Sequence, residues 1–124
     1  MAGYRTNNSI RTGASISCAA SSTTVIRDPF KVSEHDAMNI LVAVAFTSVS
    51  VTNAITLKLQ DSHDGGTTWA DVQTQAVSAD TTYEVENNMT AGTDTMMWPL
   101  ARIVVVTGVG DTCDADACYV TERT

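Results

Sequence analysis

Lysine is nearly missing from this chain: only Lys31 and Lys58 occur. Seven Lys and Arg face fourteen Asp and Glu, for a net charge of −7. A surface of that sign is repelled by phosphate, so nucleic acid is excluded as a direct ligand and anionic membranes are disfavoured. A basic protein surface remains acceptable. Charge of either sign is sparse, at 17% of residues against about 25% in an average soluble domain. Aromatics make up 6%. A carbohydrate-binding module, which needs two or three exposed rings on one face, has only Trp69, Trp98 and three tyrosines to draw on. No apolar run approaches the roughly 20 residues of a membrane-spanning helix. "MAGYRTNNSIRTG" at the start also lacks the apolar segment of a secretion signal. The expected compartment is a cytoplasm, left only by lysis or inside a particle.

Cysteine is scarce and odd in number. Cys18, Cys113 and Cys118 cannot form a closed disulfide framework. If "DADA" (114–117) is a hairpin loop, Cys113 and Cys118 face each other and can form a local bridge. A reducing cytoplasm would keep them as thiols. Structural zinc wants four Cys or His ligands in close pairs, and His35 and His63 lie far from the cysteines in sequence. No metal and no cofactor is expected.

What is present is Thr, Ser, Ala and Val, in short apolar runs broken by turn residues. At 124 residues and 44% hydrophobic content, the chain suits one domain with a core of its own. "AMNILVAVAF" (37–46) puts Ile40, Val42, Val44 and Phe46 on one face and Leu41, Ala43 and Ala45 on the other. A strand apolar on both faces is covered on both sides or lies at a subunit contact. "AITLKLQ" (54–60) alternates, with Ile55, Leu57 and Leu59 inward. In "TWADVQTQAV" (68–77), Ala70, Val72 and Ala76 share a face; "TYEVE" (82–86) sends Tyr83 and Val85 inward. "ARIVVVTG" (101–108) is β-branched, and "ACYVTE" (117–122) reads as a last strand. No sustained helical period occurs, beyond one short turn around Glu34 to Asn39. About seven or eight strands are expected, in a single-domain antiparallel β-sandwich or jelly roll over 14–124. Residues 1–13 read as an arm, free or laid on a neighbouring molecule.

"DSHDGGTTW" (61–69) joins two strand-like runs and concentrates polar chemistry. It reads as a hairpin turn: Gly65 and Gly66 supply left-handed backbone, and Asp64 accepts local N–H groups. Ser62 and Thr68 close the loop ends, and Trp69 covers it. Ser62, Asp64, Gly66, Thr68 and Trp69 fit in register with S-x-D-x-G-x-T-W, which resembles the Asp-box of sialidases and related β-propellers. The resemblance spans Ser62 to Trp69 and occurs once, whereas a propeller repeats its blade at least about four times. It implies a structural turn. Arg5, Arg11, Arg27, Arg102 and Arg123 are scattered, so the sialidase arginine set is not implied. His63 falls at a variable position of the box and is expected in solvent.

Other polar clusters read as surface. Asp111, Asp114 and Asp116 in "DTCDADAC" lack the spacing of a calcium loop and suit a solvated hairpin tip. Glu34, His35 and Asp36 are consecutive, so their side chains diverge. With no phosphate-binding glycine loop and no Ser/His/Asp set, an enzyme is not expected. "MMWPL" (96–100) suits core, or alternatively an exposed anchor at an interface. The candidate contact residues are therefore Tyr4 and Arg5 on the arm, with Met96, Met97 and Trp98.

The order "NILVAVAF", "ITLKLQDSHDGGTTWADV", "ARIVVVTG" is similar in style to the small β-sandwich capsid decoration (cement) proteins of tailed bacteriophages and to some tail components. That resemblance implies a virion protein, trimeric, seated on the major capsid protein or another virion protein and reinforcing the lattice. Phage tail or fibre components and carbohydrate-binding β-sandwich modules are the alternatives.

Overall fold

The computed structural model describes residues 4–8, 15–31, 39–88, 98 and 100–123. They form nine strands: β1 (Tyr4–Asn8), β2 (Ile16–Cys18), β3 (Thr23–Lys31), β4 (Asn39–Ser50), β5 (Ile55–Ser62), β6 (Ala70–Val77), β7 (Thr82–Asn88), β8 (Leu100–Thr107) and β9 (Thr112–Arg123). The antiparallel pairings nest. β5 pairs β6, β4 pairs β7, β3 pairs β8 and β2 pairs β9. Such a nested hairpin, rolled so that β4 also meets β9 and β5 also meets β8, is a jelly roll. Its sheets run β2-β9-β4-β7 and β3-β8-β5-β6, and β1 joins the first beside β2. The expected all-β sandwich is present.

The alternation read from sequence drives the two sheets together. Ile40, Val42, Val44 and Phe46 from β4 meet Ile55, Leu57 and Leu59 from β5 and Ala101, Ile103 and Val105 from β8, all at most 2% exposed. Burying each large side chain is worth roughly 1.5–3 kcal/mol against leaving it in water. Tyr83 packs on this core edge-to-face with Phe46, ring centres 6.1 Å apart.

Three expectations need correcting, and one strand was not expected at all. Asp114 to Ala117 are not a hairpin loop, because β9 runs unbroken from Thr112 to Arg123. A register shift opposite Ala45 and Phe46 advances the phase by one residue, so Cys113 and Ala115, then Cys118 and Val120, all face the core. Cys113 and Cys118 thus lie along one strand and do not oppose each other. In β6 the buried apolar residue is Val77, while Ala70 and Ala76 are exposed; a shift beside Leu59 and Gln60 sets that phase. β3 escaped the sequence pattern because Pro29 and two register shifts interrupt it, and an edge strand tolerates all three. Finally, within the supposed arm, Tyr4–Asn8 form a strand paired with Tyr119–Arg123. The short β2 leaves the far half of that β9 edge unpaired, and β1 supplies the missing ladder.

Candidate functional site

The β5–β6 turn is built as its residues predict. Ser62, buried at the end of β5, donates its hydroxyl to Asp64 Oδ1 at 2.8 Å and accepts the Gly66 N–H at 2.8 Å. The same Asp64 oxygen accepts the N–H groups of Thr67 at 3.2 Å and Thr68 at 2.7 Å. Those donors, led by the Thr68 backbone N–H, hold the Asp64 carboxyl far below the usual carboxylate range. Gly65 and Gly66 take φ of 74° and 99°, which side-chain-bearing residues rarely adopt. Trp69 donates its indole N–H to the Gly66 carbonyl at 3.1 Å.

Around this turn lies a polar chain on the outer face of the β3-β8-β5-β6 sheet. The Arg102 guanidinium sits 4.4 Å from the centre of the Trp69 ring, a cation–π contact. Its Nε donates to Gln60 Oε1 at 2.9 Å. Gln60 donates in turn to Asp71 Oδ1 at 2.9 Å, and Lys58 donates to Asp71 Oδ2 at 2.8 Å. Asp71 is held below its ordinary range, chiefly by the Lys58 hydrogen bond. Cross-strand register places these side chains together. Asp61 is buried at 7% and accepts the Trp98 N–H at 2.9 Å. Trp98 itself is 57% exposed. The core reading of that residue is therefore corrected: its side chain is exposed. His63, in solvent, places its ring 6.0 Å from the Trp98 ring.

The other predicted residues separate. Tyr4 and Arg5 lie on β1, opposite Arg123 and Glu122. Met96 and Met97, with Glu34, His35 and Asp36, lie outside the described residues. Among the described residues no three His, Cys, Asp or Glu side chains gather to hold a metal. Asp114 and Asp116 are instead taken by the hydroxyls of Ser17 and Ser15, at 3.1 and 2.5 Å.

Asp111 is a further residue that sequence reasoning misjudged. It is fully buried, not a solvated tip. Its Oδ1 accepts the N–H groups of Thr52 and Asn53 at 2.5 and 2.8 Å, and its Oδ2 those of Ala54 and Gly108 at 2.8 and 2.9 Å. These bonds, led by Asn53, hold its pKa below the ordinary value. One carboxylate thus ties the β4–β5 connection to the β8–β9 turn. The one available signal was "TGVGD", a glycine turn closed by an acid.

The polar chain stiffens the sheet's outer face, and Trp98 with His63 stands beside it as an exposed ring pair. Trp69 gives a ring face to Arg102, so the second tryptophan of a sugar platform is already engaged.

Comparison with known protein families and with curated proteins returns no match. Among solved structures the chain is similar to one described by the words "Bacillus endospore appendages form a novel family of disulfide-linked pili", with a TM-score of 0.52 and 13% identity. The likeness covers 99% of this chain and 88% of that one. At that identity it is a likeness of fold alone.

Proposed function

We propose that this protein is a structural subunit that works by packing against other protein chains, and that it decorates the capsid of a bacteriophage. The observation that carries this reading is the outer face of the β2-β9-β4-β7 sheet. Leu41, Ala43, Ala45 and Ala117 stay only half-buried there, around Tyr119 at 45% exposure. The face is small-residued and apolar, and Glu84 and Glu86 of β7 stand exposed beside it. Such a face suits contact with a partner that also presents basic groups at the rim. Trp98 and Val109, 57% and 73% exposed, offer further anchors.

The test is particle binding. Purified protein mixed with stripped capsids should co-sediment to saturation and raise their heat resistance. Tyr119→Glu should abolish co-sedimentation while the protein stays folded. Light scattering should show a trimer; absence from purified virions would sink the decoration reading.

A second reading is favoured by the likeness to a pilus protein: a subunit that polymerises with its own copies. It predicts filaments of pure protein by electron microscopy, without any capsid present.

A further inference from the structure

We propose that Cys18 and Cys113 form a dithiol–disulfide pair, a cross-strand staple that locks β2 to β9 within one chain. The register places the two residues directly opposite each other, Cys18 against Cys113, at the end of a three-pair ladder. Directly opposed residues in an antiparallel ladder have Cα atoms about 4.5–5.5 Å apart, inside the range that a disulfide spans. Both side chains face the same side, and both are buried, at 2% and 3% exposure. Cys118 is excluded from the pair because it opposes Val44 on the other edge of β9.

A second observation gives the pair a route to reagents. An open cleft of about 320 Å³ is lined by Cys18 and Cys113 together with Ser17, Ser48 and Asp114. Small thiol reagents can therefore approach a pair that is otherwise core.

The chemistry is thiol–disulfide exchange with a small disulfide such as oxidised glutathione. The Cys18 thiolate attacks one glutathione sulfur and expels glutathione thiolate. Cys113 then loses its proton and attacks the Cys18 sulfur of the mixed disulfide, expelling the second glutathione. The protein loses two thiol protons and two electrons, and one glutathione disulfide becomes two thiols. Burial raises both thiols, Cys113 to about 12. Exchange should therefore be slow and should quicken with rising pH.

The consequence is local. β2 pairs β9 over only Ile16 to Cys18, so a covalent link there decides whether that end of the first sheet stays closed.

The experiment holds the native protein in glutathione buffers of graded potential, approaching equilibrium both from reduced protein and from protein refolded in the same buffer. Free thiols are then alkylated and the peptides mapped by mass spectrometry. The expected result is one link, Cys18 to Cys113, lost on dithiothreitol treatment, with Cys118 alkylated throughout and the chain monomeric on non-reducing gels. Oxidised protein should melt at a higher temperature than reduced protein. A link that includes Cys118, a link between chains, or separate glutathione adducts on Cys18 and Cys113 would overturn the proposal. Cys118→Ser should leave the link intact, and loss of the link in that variant counts equally against it.

Discussion

Single side chains hold this fold's turns, and two aspartates do most of that work. Asp64 gathers the N–H groups of Thr67 and Thr68 in solvent, whereas Asp111 gathers four N–H groups with none of its surface exposed. Removing an acceptor costs more where water cannot replace it. Asp111→Ala should therefore lower the melting temperature more than Asp64→Ala does, and calorimetry of the two variants will rank them. Gly108 gives a quantitative companion. A Cβ there would lie 2.9 Å from Asp111 Oδ2 and 3.1 Å from Asn53 Cβ. Gly108→Ala should cost roughly 1–3 kcal/mol in denaturant unfolding, as overpacking does. The turn at Ser62 to Trp69 was legible because every one of its hydrogen bonds is local. Asp111 was not, since three of its four donors come from residues about sixty positions earlier in the chain.

At the scale of the strand, alternation was a reliable guide wherever pairing ran without a shift. β4 and β5 bury the residues their period-two pattern marks. β5 lies between β8 and β6 at the centre of its sheet, so Leu57→Ala opens a cavity that neighbours cannot fill. It should cost about 2–5 kcal/mol, read as a lower denaturant midpoint. Tyr119, on the outer face of β9, should behave oppositely: Tyr119→Ser should change stability by no more than about 0.5 kcal/mol while weakening assembly. β9 and β6 show where pattern reading stops. A bulge moves one strand by a single residue and reverses every side chain beyond it. That displacement is set by the partner strand, and the sequence of β9 alone reads as a loop followed by a strand.

For the whole molecule, the ionisable groups predict a stability plateau with two edges. Asp64, Asp71, Asp111 and Asp116 all have lowered pKa values in the fold. An unfolded aspartate titrates near about 3.9. Below that the unfolded chain takes up protons that the native carboxylates resist, so the stability present above about pH 4 is lost as pH falls further. The alkaline edge comes from Cys113, raised to about 12 by burial from about 8.5 in an unfolded chain. Its contribution is complete below that unfolded value and is lost as pH climbs toward 12. Thermal melts across pH should fall at both ends. The alkaline fall should shrink in oxidised protein, where Cys113 has no proton to lose.

What the sequence by itself determined was local: strand-forming composition, the buried faces of the regular strands, the hydrogen-bonded turn at Ser62 to Trp69 and the sign of the surface charge. These follow from periodicity and from hydrogen bonds between neighbours in the chain. Only the tertiary structure decided the rest. Nested pairing set Cys18 against Cys113, bulges rephased β6 and β9, and Asp111 joined two distant turns. It also set Arg102 on Trp69 beside an exposed Trp98. Each of these depends on residues far apart in sequence, whose meeting is chosen by how the sheets roll together and not by any spacing along the chain.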